Sequence, residues 1–177
     1  MNKDGKLFEE QWKRSIPEDV YYLRLKDNPS SFGKDSSFVR FTLNNPFDCL
    51  VFYNGFLFPL ELKSTSSKSI SIQTKKEEKG KMIKINQIEG LSKSNKYENI
   101  FSGFLFDFRE SGKTFWMGIN DFLKFQEENN KKSINEKDII KYNAIEVEKE
   151  KKKTRYVFSV KKLIEDVVVK NGEKNSL

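Results

Sequence analysis

The sequence predicts an α/β fold, and three observations point to it. Cys49–Tyr53 and residues 56–62 are β-rich runs separated by Asn54-Gly55, a two-residue signal for a type I′ hairpin turn. Both faces of this strand pair are apolar, as expected of strands covered by helices on each side. A second hairpin pattern follows at 100–108 and 114–119, around Glu110-Ser111-Gly112-Lys113.

The remaining elements fit around these hairpins. Asp4 can cap a helix over 5–15, with Leu7, Phe8 and Trp12 as its apolar stripe and Pro17 marking its end. Residues 20–25 read as a short strand. Residues 26–37, rich in Ser, Asn, Gly, Pro and Asp, read as a loop, and 38–43 resume an extended pattern. The Lys- and Ser-rich stretch 64–85 carries no clear periodicity. Asn86 can cap a helix to about Ser94, and Asn120-Asp121 opens another short one. Ser133 and Glu136 have capping-box spacing for a further helix. Residues 142–148 and 155–160 read as strands flanking the charged stretch 149–154. A terminal helix is expected over 161–170, with 171–177 as a frayed tail.

A length of 177 residues suits one domain, here 1–170, and no repeat or linker divides it. Only 36% of residues are hydrophobic, yet 16 are Phe, enough for a large core. Lys and Arg number 33 against 26 Asp and Glu, a net charge of +7 with a pI near 9.3, which favours a polyanionic partner such as nucleic acid or an anionic membrane surface. No apolar run reaches the roughly 20 residues of a membrane span, and the N-terminus has no signal-peptide core, so a soluble cytoplasmic protein without membrane contact is expected. A single cysteine, Cys49, excludes an internal disulfide. The absence of histidine excludes Cys/His zinc sites and Ser-His-Asp or Cys-His nucleophilic machinery. Hydrolytic chemistry in this chain must use carboxylates, Lys, Tyr or a hard metal ion.

Asp48 and Glu61 stand at equal distances from the Asn54-Gly55 turn, so a plain two-residue hairpin sets them opposite one another. Directly opposed side chains have Cβ atoms about 4.5 to 5.5 Å apart, and like charges so placed destabilise a sheet unless compensated. A divalent cation would compensate them. Lys63, two residues beyond Glu61, projects to the same face of the strand. Such a cluster suits phosphodiester hydrolysis: Asp48, Glu61 and the backbone carbonyl of Leu62 as ligands for Mg²⁺, or Mn²⁺, and Lys63 to orient or deprotonate water. Pro59 falls opposite Leu50 and cannot donate to a ladder, so a bulge there could shift the register. The plainer alternative is a structural ion pair. Glu-Lys pairs recur at 77–79 and 150–152, but in polar stretches, whereas Glu61 ends the apolar run Phe56-Leu57-Phe58-Pro59-Leu60.

Asp48, the hairpin and Glu61-Leu62-Lys63-Ser64-Thr65 resemble the D-x(n)-E-x-K-x-T core of RecU-like Holliday junction resolvases, within the PD-(D/E)XK nuclease superfamily. Gly5-Lys6-Leu7-Phe8-Glu9 resembles the G-x-x-F-E opening of that family's first helix, and Asn86-Gln87-Ile88-Glu89-Gly90-Leu91 its Q-x-x-x-L helix. Phe47 stands where the superfamily's name has proline, with Pro46 one residue earlier. The likeness spans roughly residues 5–125. It implies a restriction-endonuclease-like core, with a central mixed β-sheet flanked by helices. It also implies a Mg²⁺-dependent endonuclease acting as a homodimer on four-way junction DNA, without a small-molecule cofactor.

The same resemblance implies that Glu9 joins the metal site and that Gln87 completes the catalytic set, with Glu10 and Glu89 as alternatives in each helix. It places a projecting stalk at about 25–45, where Lys26, Lys34 and Arg40, with the neighbouring Arg24, would meet DNA and Phe32 and Phe38 could pack or stack. Thr65 is expected on the DNA side of the site, or else as a β-former ending its strand. Two rival readings remain from the sequence. One is a restriction or repair nuclease of the same core acting on another DNA; the other is a catalytically inactive DNA-binding module.

Overall fold

The computed structural model describes residues 3–25 and 45–174, with side chains described over 4–25 and 45–172. Helix α1 (Lys3–Ser15) leads into strand β1 (Tyr21–Arg24). The expected hairpin follows as β2 (Cys49–Tyr53) and β3 (Phe56–Thr65). Its turn has positive φ at both central residues, 49° at Asn54 and 83° at Gly55, the geometry for which Asn-Gly is suited. β2 and β3 pair antiparallel from Tyr53↔Phe56 to Cys49↔Leu60. Pro59 sits opposite Leu50 without shifting this register. The N–H of Leu57 points to Asn99 and that of Leu62 to Asp48, while β3 exposes its odd-numbered N–H groups away from β2 along the paired stretch. Proline therefore removes a donor that the β2 ladder does not use.

Past Thr65 the chain forms β4 (Ser69–Ser71), helix α2 (Ile85–Ser94), β5 (Gly103–Phe108) and β6 (Lys113–Gly118). Then come α3 (Ile119–Glu128), β7 (Ser133–Asn135), α4 (Glu136–Lys141), β8 (Ile145–Glu146), the hairpin β9 (Lys149–Lys152) and β10 (Arg155–Phe158), and α5 (Val160–Lys174). The central sheet is mixed, in the order β1-β2-β3-β5-β6-β8; only β3–β5 is parallel. β9–β10 and β4–β7 form two small ribbons.

Each face of the sheet carries its own core. On one, Leu60, Leu62, Leu105 and Trp116 pack against Phe8 and Trp12 of α1 and Leu163, Ile164 and Val167 of α5. On the other, Phe104, Phe106, Phe115 and Met117 pack against Ile88 and Leu91 of α2 and Phe122 and Phe125 of α3. The double-sided apolar hairpin is thus an α/β sheet flanked by helices, as the sequence predicts. Among the described residues no helix is long and apolar enough to cross a membrane.

Several boundaries differ from expectation. Asn86 lies inside α2, whose cap is Lys84, two residues earlier than expected, with its N–H held by the side-chain oxygen of Gln87 at 2.9 Å. Ser133 belongs to β7, and Asn135 caps α4 instead, accepting the Asp138 N–H at 3.0 Å while Asp138 accepts that of Asn135. The charged stretch 149–154, expected between two strands, is itself β9 and its turn, with Lys153 at φ 51°. Residues 171–174 continue α5 rather than fraying, while 175–177 lie outside the described residues.

Candidate functional site

The β2–β3 ladder stops one step short of the expected Asp48↔Glu61 pair. The Asp48 N–H turns to the Leu60 carbonyl at 3.0 Å, and its carboxylate accepts the Leu62 N–H at 2.7 Å. From that point β3 pairs on its other edge with β5, Glu61 opposite Phe104 and Lys63 opposite Phe106. The site therefore lies at a fork, where β3 loses its antiparallel neighbour and takes up its parallel one.

Glu61 is 1% exposed. Its Oε1 accepts the Lys63 Nζ at 2.6 Å and the side-chain amide of Gln87. Burial, with Asp48 adding to it, pushes its carboxyl up to about 8, against the opposing pull of Lys63. Asp48 is also raised, mainly by burial, while the Leu62 N–H, Lys63 and Arg24 favour its charged form. The nearness of Asp48 disfavours ionisation of Glu61 as well. Two carboxyls thus share a desolvated niche with the single ammonium of Lys63, an arrangement short of positive charge.

Of the residues singled out in sequence, Asp48, Glu61, Lys63 and Gln87 come together. Helix α2 brings Gln87 in because Gly90 lies directly against Pro46, on the segment leading into Asp48. Glu89 is exposed. Glu9, on α1, is paired with Arg24 of β1, beside Cys49; its neighbour Glu10 pairs with Arg14 on the exposed side. Among the described residues no three Asp, Glu or Cys side chains stand together as a metal-holding group. Thr65 is buried and ends β3 opposite Phe108, and its hydroxyl accepts the Ser67 N–H at 3.0 Å. Lys26, Phe32, Lys34, Phe38 and Arg40, and with them most of the expected stalk, lie outside the described residues.

A second buried polar cluster is not evident from the sequence motifs. Asp107 accepts the hydroxyls of Ser64 at 2.9 Å and Thr114 at 2.8 Å, and the Nζ of Lys149 at 3.1 Å. Lys149, its side chain 8% exposed, also lies 4.4 Å from the centre of the Tyr156 ring. One signal does mark it: a carboxylate inside the apolar run Phe104-Leu105-Phe106-Asp107-Phe108 is as unexpected as Glu61 is in its own. This cluster is internally satisfied, and it ties β3, β5 and β6 to the β9–β10 ribbon.

No protein-family model matches the chain. It is similar to the SPbeta prophage-derived uncharacterized protein YotM of Bacillus subtilis (strain 168), 34% identical over 187 aligned residues that cover 98% of this chain and 91% of the relative. Identity at that level over nearly the whole of both chains means that this chain belongs to the family of that prophage-derived protein.

Proposed function

We propose that this protein is a metal-dependent DNA endonuclease of the PD-(D/E)XK type, resolving four-way junctions as RecU-like enzymes do. The observation that supports it most is the convergence of Lys63 and Gln87 on one oxygen of buried Glu61, beside Asp48. The donor set fits Mg²⁺ or Mn²⁺: two desolvated carboxyls that share the one ammonium of Lys63 offer hard oxygens, and Mg²⁺ is commonly held by one or two carboxylates with water and substrate phosphate filling the rest. Asp48, Glu61 and the Leu62 carbonyl would hold it. When bound, the ion supplies Lewis acidity toward the phosphodiester and the attacking water.

The residues of the chain do the remainder. Gln87, itself held by the Lys84 N–H, fixes the rotamer of Glu61. Lys63 lies on the same carboxylate oxygen, so its ammonium can orient the attacking water and offset negative charge developing on the phosphate. Homodimerisation follows from the resemblance and from the need for two symmetric nicks across a junction. Arg24, together with Lys26, Lys34 and Arg40 of the expected stalk at about 25–45, supplies the proposed junction contacts.

The test is incubation with four-way, flap and linear duplex DNA, each with Mg²⁺ and with EDTA. Mg²⁺-dependent cleavage centred on the four-way junction is the expected result. Cleavage confined to flap or linear DNA would keep a nuclease but replace its substrate, and binding without any cleavage would make the chain an inactive DNA-binding module.

A further inference from the structure

Between β4 and α2 the chain carries Lys75, Lys76, Lys79, Lys81 and Lys84 within ten residues, against only Glu77 and Glu78. This stretch is a folded loop. Its base is pinned where Ile72 bridges Ile83, both fully buried, with the Gln73 N–H on the Ile83 carbonyl and the Ile83 N–H on that of Ser71. The Gln73 carboxamide braces the interior, donating to the carbonyls of Lys76 at 3.1 Å and Glu78 at 2.9 Å and accepting the Ile85 N–H at 3.1 Å. One of the two acids is used in the same bracing, for Glu78 accepts the Thr74 N–H at 2.9 Å.

The lysines have no such internal use. Lys63, Lys131 and Lys149 each hold a carboxylate, whereas none of the five loop lysines forms an ion pair among the described residues. Lys75, Lys76, Lys79 and Lys84 are exposed and Lys81 is half-exposed. The loop ends beside the candidate site: the Lys84 N–H bonds Gln87, whose amide bonds Glu61. Five lysines against two acids, with only Lys81 acting on Glu78, leave a net positive charge on a braced loop, which is costly to the free protein and is offset when a polyanion lies along it.

We propose that residues 73–84 form a ledge for the phosphodiester backbone, holding the nucleic acid strand next to the carboxylate pair. The proposal rests on the nuclease reading and adds where the substrate's backbone is held. The ledge is sequence-independent, since ammonium groups on flexible stems meet phosphate as point charges.

The experiment measures binding of fluorescently labelled four-way junction and linear duplex DNA in EDTA, from 50 to 300 mM salt. It compares wild type, a quadruple Lys75→Gln, Lys76→Gln, Lys79→Gln, Lys81→Gln variant, and a charge-matched control with Gln at the exposed Lys13, Lys124, Lys151 and Lys153. Each phosphate contact contributes about 0.9 to the slope of log affinity against log salt, so the loop variant should lose about 2 to 4 in slope on both DNAs and the control much less. Equal slopes in wild type and loop variant, or equal losses in the control, would overturn the ledge and leave the nuclease reading standing if wild type still cleaves with Mg²⁺. Wild type that binds neither DNA would overturn both. Should the quadruple variant lose its circular dichroism signal, Glu77→Lys at an exposed position provides the converse: a steeper slope supports the ledge, and an unchanged slope overturns it.

Discussion

Gly90 lies so close to Pro46 that a β-carbon at position 90 would meet the Pro46 carbonyl oxygen at 2.9 Å and its Cβ closer still. Helix α2 therefore seats directly on the segment that delivers Asp48, and the same helix carries Gln87. Gly90→Ala should force the two apart, costing about 1 to 3 kcal/mol as overpacking does, despite alanine's better helix propensity. Urea denaturation would read this as a lower midpoint at unchanged slope; a variant as stable as wild type would mean the contact gives way freely.

Asp48→Asn and Glu61→Gln each replace an ionisable carboxyl, a metal ligand once ionised, by a neutral amide of nearly the same volume. Changes merely adjacent to metal ligands commonly cost 10- to 100-fold, so loss of a ligand's charge should lower Mg²⁺-dependent cleavage by at least about 100-fold while the fold and DNA binding persist. Full cleavage by either variant would remove the carboxylate pair from the mechanism.

A carboxyl raised to about 8 in the folded chain but ordinary in the unfolded one binds an extra proton in the folded state between those values. Metal-free protein should accordingly lose stability as pH climbs from about 4.5 toward 8, by at most about 1.4 kcal/mol for each step of one in pH. Glu61→Gln cannot lose that proton, so the variant should flatten this slope and exceed wild type in melting temperature near pH 8 while resembling it near pH 5. Added Mg²⁺ favours the ionised form and should stabilise wild type most at high pH. Parallel thermal melts at several pH values check it, and identical profiles would show Glu61 to be ionised throughout.

Lys63→Ala should abolish cleavage while sparing metal binding, since both carboxylates remain. Isothermal titration with Mn²⁺ separates the two effects. Lost metal binding would assign Lys63 to holding Glu61 in place rather than to chemistry.

Asp107→Ala leaves the buried Lys149 ammonium without its carboxylate, and breaking a buried pair from one side commonly costs about 3 to 5 kcal/mol. A melting temperature close to that of wild type would mean that the Thr114 hydroxyl and the Tyr156 ring carry the charge without it.

The sequence disclosed the fold where its code is local. Asn54-Gly55 sets the hairpin register through turn chemistry alone, and the register in turn brings Asp48 and Glu61 to one strand end. Gln87 was legible through the order of motifs, although its own side chain moves the start of its helix from the expected position. Contacts between segments distant in sequence were not legible. The pairing of Ile70 with Ile134, the seat of Gly90 on Pro46 and the partners that gather on Asp107 (Ser64, Thr114 and Lys149) depend on how the layers stack; the apolar run around Asp107 flags that residue but not its partners. Nor does the spacing show that Glu9 answers to Arg24, since that pairing joins a helix to the edge strand β1.

The bond from Leu62 N–H to the carboxylate of Asp48 gives that side chain a second employment. Where the β2 backbone ceases to pair, an oxygen of Asp48 substitutes for the missing main-chain carbonyl and plugs the open edge of β3. An asparagine at this position still offers a carbonyl oxygen to Leu62 and so changes charge alone. An alanine unplugs the strand as well, leaving an N–H without its acceptor, and any activity it loses would mix a damaged sheet with a missing ligand.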